Sequence, residues 1–168
     1  GTARVESGAA VHSCAQEAAV NTPPMTYAAW VTVLDRLAAG MEDEAVLHEM
    51  RAGSLAWQSG VAERFTQRFS DAVNVRINRA SDHFSRAMRR ASDASATIGA
   101  LLSLRRTLRF LRDVVDIPAL PAETRGSFIA LVQDAADRMQ ESLEDSAQRD
   151  RSGRMASIVR GHRVNMLR

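Results

Sequence analysis

The side chains with catalytic or metal-binding potential are few and scattered in this sequence. Glu44 and His48 stand at i and i+4, a spacing that places both on one face of a helix and makes at most half of a metal site. His12 and Cys14 could supply two ligands near the N-terminus, fewer than a zinc site needs. His83 is a further candidate, but it falls at the margin of an apolar pattern, where a histidine with one hydrogen bond is the usual outcome.

Motifs of the familiar enzyme classes are absent from the sequence. The chain has no Gly-rich phosphate loop with its Lys, no Gly-x-Ser-x-Gly, no His-Glu-x-x-His and no Cys-x-x-Cys, and its single cysteine can form no internal disulfide. Nothing supplies a base, a nucleophile and an oxyanion donor together. We therefore expect no catalytic residue, no metal site and no cofactor.

Arginine supplies all 22 basic side chains, and two groups of arginines share helix faces. Planar, bidentate guanidinium groups suit carboxylate and phosphate, so both groups are candidate sites for a partner or an anion. The alternative is a solvated flank with weak Arg–Asp pairs. The first group, the Arg stripe, comprises Arg64, Arg68, Arg79, Arg86 and Arg90; the second Arg group comprises Arg105, Arg109 and Arg112.

The Arg stripe belongs to an 11-residue repeat. The phrase Arg-x-Ser-Asp occurs at residues 68–71, 79–82 and 90–93. Eleven residues make three helical turns, so a feature at this interval stays on one side of a long helix. Apolar residues occupy repeat positions two, five, six, nine and ten between Trp57 and Ala100, which predicts one buried seam flanked by the stripe.

Charge alternates along the chain although the net charge is only +2. Residues 1–50, 51–112, 113–150 and 151–168 carry net charges of −5, +8, −6 and +5. Complementary blocks favour helices that attract one another or attract other copies. Within the third block, five acidic residues project opposite an apolar stripe and form either a solvated face or a contact between molecules; this acidic ridge comprises Asp134, Asp137, Glu141, Glu144 and Asp145.

Local signals place the first two helices. Residues 1–24 are small and polar, and they predict a flexible N-terminal arm. Thr26 is the expected N-cap of a helix that stops at Gly40. A short helix is expected from about Glu42 to Arg51, ended by Gly53.

The later helices are longer. The repeat helix is expected to start near Ser54, and weak helix formers at 94–99 allow either a bend or one very long helix. Residues 117–121 contain two prolines and predict a turn. Another long helix should run to about Arg149, where Ser152-Gly153 follows as a break.

Together these signals predict an all-α fold, an antiparallel bundle of about five helices dominated by two or three long ones. The bundle domain should span residues 25–150, with residues 151–168 as a basic C-terminal segment, a short helix or a tail. No apolar run approaches the ~18 residues of a membrane span. Since the chain opens at Gly1 rather than Met, we treat it as a processed or excised piece.

Three functions fit this architecture. The first is a non-catalytic protein–protein interaction or assembly module, with a protein partner or self-association through the charged faces. The second is a peripheral module that binds an anionic surface, phospholipid headgroup or nucleic acid, through the Arg stripe. The third is a periplasmic helical-bundle sensor. The sequence leaves the compartment open; it slightly favours the bacterial cytoplasm, with the periplasm, secretion or delivery into a host as alternatives.

Overall fold

The computed structural model describes residues 22–161 and residue 167. That part of the chain forms six helices and no strand, which confirms the all-α prediction. No helix within it is both long enough and apolar enough to cross a membrane. The helices are α1 (Tyr27–Ala39), α2 (Asp43–Ala52), α3 (Ser59–Arg90), α4 (Ala94–Val115), α5 (Ala122–Arg149) and α6 (Arg154–Gly161).

Helices α3, α4 and α5 form the body of the bundle, with the α1–α2 hairpin against α3 and α4, and α6 against α4 and α5. Helix α1 runs parallel to α3, because Trp30 contacts Phe65 near one end and Arg76 reaches the Leu37 carbonyl further along. Helix α4 returns antiparallel to α3, so that Arg76 also lies over Phe110. The end of the bundle at which α3 begins is called the lower end, and the other the upper end.

Aromatic side chains fill the core at the lower end. The ring of Phe65 contacts Trp30 and Trp57 edge-on, with centroids 5.3 and 5.4 Å apart. Phe69 continues the row and reaches Phe128 of α5 at 4.8 Å. Such ring pairs add about 0.5–1.5 kcal/mol each to the burial of their apolar surface. This row ties α1, α3 and α5 together around one hydrophobic core.

The ends of α1 follow the sequence prediction. The Thr26 hydroxyl accepts a hydrogen bond from the Ala29 amide at 3.2 Å, which satisfies a free donor of the first turn. Gly40 ends the helix with φ of 74°, a left-handed conformation that glycine adopts at little cost. Both signals are local, which is why they can be recognised without the fold.

The segment between α2 and α3, residues 53–58, is not helical, so the predicted start of the long helix near Ser54 is wrong. The helix begins at Ser59. The Trp30 indole donates to the Ser54 carbonyl at 3.0 Å, and the Trp57 indole donates to the Ala119 carbonyl at 2.8 Å. The buried indole of Trp30 and the partly buried indole of Trp57 thus hold residues 54–58 across the lower end, through hydrogen bonds between residues that are 24 and 62 positions apart in sequence.

The last residue assigned to the flexible arm is part of this packing. Pro24 is buried, and its carbonyl accepts a hydrogen bond from the Ser54 amide at 3.0 Å. A Cβ atom at Gly53 would lie 2.8 Å from Pro24 and from the Trp30 ring, so this close approach requires glycine. The folded body therefore includes Pro24, while residues 1–21 of the predicted arm lie outside the described residues.

The long repeat helix ends at Arg90, before the region in which a bend was expected. Asp93, the last residue of the third repeat phrase, adopts an extended conformation, and its carboxylate accepts a hydrogen bond from the Ala96 amide at 2.8 Å. Residues 94–99 are then the first turns of α4, so both expected outcomes, a bend within 94–99 and one continuous helix, are wrong. The third phrase ends in the cap of a new helix, because the short carboxylate of Asp accepts a hydrogen bond from a free first-turn amide and is better suited to this position than to a helix interior.

Helix α6 occupies part of the predicted C-terminal segment. Met155 and Ile158 are buried in the common core. Asp150 accepts hydrogen bonds from the Met155 amide at 3.0 Å and from the Ser152 hydroxyl at 2.7 Å. These hydrogen bonds lower the pKa of Asp150 below its ordinary value of 3.8; the bond from the Met155 amide has the largest effect, and the bonds from Ser152 come next.

Replacing Asp93 with Ala should remove the N-terminal cap of α4. We expect a loss of about 0.5–2 kcal/mol in the free energy of unfolding, measured by urea denaturation. Asp82→Ala is the matched control, since it alters the same position of the second phrase within α3 and should change stability by less than about 0.5 kcal/mol. Equal effects of the two substitutions would contradict the capping role.

The hydrogen bonds to Asp150 should make the attachment of α6 sensitive to acid. Because folding lowers the pKa of this carboxyl, its contribution is complete above pH 3.8 and is lost as the pH falls through the folded-state value. We expect hydrogen-exchange protection of the Met155 amide to fall in that window, and Asp150→Asn to remove most of the dependence. If hydrogen-exchange protection of the Met155 amide stayed unchanged below pH 3.8, the proposed role of Asp150 in attaching α6 would be contradicted.

Candidate interaction surfaces

One buried ion pair joins the first four helices. Arg76 of α3 is only 7% exposed, and its two terminal nitrogens donate to both carboxylate oxygens of Asp43 at 2.8 Å. The same guanidinium donates to the Leu37 carbonyl at 3.0 Å and lies 5.1 Å from the centroid of the Phe110 ring. Arg76 thereby contacts α1, α2 and α4 at once, and it fixes where the α1–α2 hairpin sits on α3.

A second ion pair closes the hairpin itself. Arg36 of α1 donates to both carboxylate oxygens of Glu49 at 2.9 and 2.8 Å, and to Glu42 at 3.0 Å. Glu49 is 4% exposed, and the ion pair with Arg36 compensates for the burial of its carboxylate. The hydrogen bond to Glu49, which stabilises the guanidinium, raises the pKa of Arg36 above its ordinary value.

Sequence reasoning missed Arg76, although the repeat contained a signal for it. Arg76 stands in the ninth repeat position, which Phe65, Ala87 and Ile98 occupy in the other units. A charged side chain in a column that is otherwise apolar indicates a buried charge with a partner. Around the axis of α3, this column lies to one side of the column that contains Arg68, Arg79 and Arg90, so Arg76 can be told apart from these flanking arginines.

The lower part of the Arg stripe is engaged by α1. The guanidinium of Arg64 lies 5.7 Å from the centre of the Tyr27 ring, and Arg68 is 3.8 Å from a carboxylate oxygen of Asp35. Arg79 donates to the last two carbonyls of α1 at 2.9 and 3.0 Å, where a cation also complements the helix dipole. These three arginines therefore hold α1 in place.

The upper part of the stripe lies beyond the end of α1. Arg86 and Arg90 are exposed, and Arg89 is exposed beside them. Arg86 donates only to a carbonyl of its own helix, and none of the three forms an ion pair with a described carboxylate. We call Arg86, Arg89 and Arg90 the upper Arg cluster.

The second Arg group is divided between two environments. Arg105 and Arg109 line a 510 Å³ groove that Asp113 and the start of α2 also border. Arg112 instead donates to the Leu167 carbonyl at 2.9 Å, on the side of the C-terminal segment. The structure thus does not bring the three together as one positive face.

The acidic ridge lies on the outer side of α5, where all five of its side chains are exposed. Its described polar contacts are made within α5: Gln133 donates to Asp137 at 2.8 Å, and Gln140 donates to Glu144 at 3.0 Å. Asp145 is 3.9 Å from Arg149, a weak pair at i and i+4. Among the described residues, no ion pair connects the ridge to another helix.

The remaining candidates of the sequence analysis do not assemble into a site. Glu44, His48 and His83 are exposed. Within the described residues, no group of three or more His, Cys, Asp or Glu side chains is arranged to hold a metal ion. His12 and Cys14 lie outside the residues that the structure describes.

Comparisons with known proteins offer no relative for this chain: no family model, no curated protein and no solved structure matches it.

Replacing Arg76 with Met should leave the Asp43 carboxylate partly buried without its partner. We expect a loss of about 3 kcal/mol in the free energy of unfolding, measured in urea. Arg86→Met, on the exposed end of the same helix, is the control and should change stability by less than about 0.5 kcal/mol.

The double substitution Arg76→Met with Asp43→Asn tests whether the two side chains act as a pair. Since the second change removes the stranded charge, it should cost clearly less than the sum of the two single changes. Additive losses, or an Arg76→Met variant as stable as Arg86→Met, would contradict the bridging role.

Proposed function

We propose that this chain is a non-catalytic assembly module that associates with a second copy of itself through complementary charged faces. The acidic ridge of one copy contacts the upper Arg cluster of the other, and the reverse contact forms on the opposite side of a two-fold axis. Such an isologous arrangement uses each face once in each copy.

The observation that carries the proposal is the exposure of the acidic ridge. Five carboxylates between residues 134 and 145 face outward over about 16 Å of helix, and their described partners belong to α5 alone. The ridge also includes the exposed Arg138, but its carboxylates are in excess, and such a surface attracts an oppositely charged one and hastens encounter. It is therefore available to a basic surface outside its own bundle.

The same chain offers that basic surface. The upper Arg cluster is exposed, and residues 81 and 85 of α3 lie across a groove from residues 138 and 142 of α5, so both charged faces belong to the upper half of the bundle. Arginine pairs with carboxylates in bidentate geometry, which gives the contact direction as well as attraction. The lower arginines of the stripe are less suited, because α1 already engages them.

A second candidate function is binding to an anionic surface, either phospholipid headgroups or nucleic acid. The exposed upper Arg cluster favours it, since three adjacent guanidinium groups without a described carboxylate partner could contact phosphates. The sensor alternative would need a polar cavity, and one small cavity of that kind lies beside Arg79 and His83.

Light scattering after size exclusion tests self-association directly. At about 50 mM salt we expect a dimer, and at about 500 mM a monomer, because screening weakens contacts between exposed charges. The triple variant Glu141→Gln, Glu144→Gln and Asp145→Asn should weaken dimerisation about tenfold or more.

The matched control changes net charge equally but spares the ridge. Glu63→Gln, Asp71→Asn and Asp82→Asn remove three exposed acids of α3 and should leave the dimer intact. A monomer at both salt concentrations would contradict self-association and make anionic vesicles and nucleic acid the next partners to test. A dimer that both triple variants weaken equally would contradict the role of the ridge.

A further inference from the structure

A small cavity between α3 and α4 is lined by cationic and polar groups. Its volume is 180 Å³, and its lining consists of Arg76, Arg79, Ala80, His83 and Thr107. Three of these side chains, at positions i, i+3 and i+7 of α3, carry nitrogen donors. A water molecule occupies ~30 Å³ of liquid, so the cavity has room for a small polyatomic ion.

The charges around this cavity distinguish it from the other cavities. The groove beside Arg105 is bordered by Asp43, Glu44 and Asp113, and the groove between α1 and α3 is bordered by Asp35 and Asp71. The groove between α3 and α5 contains one charged group, Arg138. Among these four cavities, the one beside Arg79 alone combines two arginines with no carboxylate in its lining.

Two of the cationic groups are held in place before any ligand arrives. Arg76 is fixed by Asp43 and by the Leu37 carbonyl, and it places a buried guanidinium at the cavity. Arg79 is anchored through one terminal nitrogen, Nη1, which makes both of its bonds to the end of α1. A rigid donor loses less conformational entropy when it binds a ligand.

We propose that this cavity is a binding site for a phosphate group carried by a small soluble compound or present as inorganic phosphate. Arg79 and His83 make the direct contacts, while Arg76, whose charge Asp43 partly balances, adds positive potential at the base of the site. Phosphate offers several acceptor oxygens, and charge-assisted hydrogen bonds to it are about twice as strong as neutral ones. The site is independent of the proposed self-association, because it uses neither the acidic ridge nor the upper Arg cluster.

Titration with inorganic phosphate in a low-chloride buffer tests the site, followed by calorimetry and by NMR signals of the arginine Nε–H groups and the His83 ring. We expect saturable binding with a Kd of about 1 mM or tighter. Arg79→Gln should weaken it about tenfold, and Arg79→Lys less, because the charge remains. Arg151→Gln, an exposed arginine outside the cavity and outside the proposed dimer contact, should change the Kd less than about twofold.

Because Arg79 also contacts the end of α1, its replacement could weaken phosphate binding indirectly, and a second variant separates the two effects. His83 is exposed and lies outside the contacts that hold α1, so His83→Gln should keep the melting temperature and still weaken phosphate binding severalfold. Circular dichroism of each variant checks that the helices remain.

Two further arms identify the source of the phosphate. Binding of glycerol phosphate that depends on Arg79, without retention on phosphatidic acid vesicles, would support a soluble ligand. Retention on vesicles that Arg79→Gln abolishes would support the phosphate site but assign it to a lipid headgroup. No saturation by about 20 mM phosphate, or equal weakening by Arg79→Gln and Arg151→Gln, would overturn the proposal.

Discussion

The guanidinium group of Arg76 sits where four helices meet, and the arrangement of the bundle depends on it. Moving this charge out of water is expensive, and the expense is offset only because Asp43, the Leu37 carbonyl and the Phe110 ring all contact it. These contacts are directional, whereas the hydrophobic burial of the surrounding apolar surfaces is not. We therefore expect the ion pair to favour this position of the α1–α2 hairpin over displaced ones, in which the guanidinium would lose these partners.

The position of the hairpin then determines which charges remain available. Helix α1 has 13 residues and α3 has 32, so α1 covers about 20 Å of a helix about 48 Å long. The arginines on this face of α3 consequently have two roles, although they are chemically identical. Those beside α1 attach it to the bundle, and those beyond its end face solvent.

Local chemistry explains which parts of the fold and of the candidate surfaces could be predicted. The cap at Thr26, the stop at Gly40, the proline turn before α5 and the outward direction of the acidic ridge each follow from neighbouring residues. The start of α3 could not be predicted in this way, because hydrogen bonds between residues distant in sequence, Trp30 with Ser54 and Trp57 with Ala119, hold residues 54–58 outside the helix. The division of the Arg stripe depended on where α1 ends in space. Asp93 follows the same Arg-Ala-Ser sequence as Asp82, but Asp93 caps a helix whereas Asp82 lies inside one.

The break at Asp93 also bears on how such a chain could change in length. Because eleven residues complete three turns, a further unit inserted in α3 would advance the cap by about 16 Å while returning every later side chain to the same face. The matching extension would fall in α4, and the contacts of Arg76, near the middle of α3, would be undisturbed. The hairpin of α3 and α4 could thus grow in fixed increments, in the manner of a modular spacer, provided that α5 and α6, which pack against it, were extended with it.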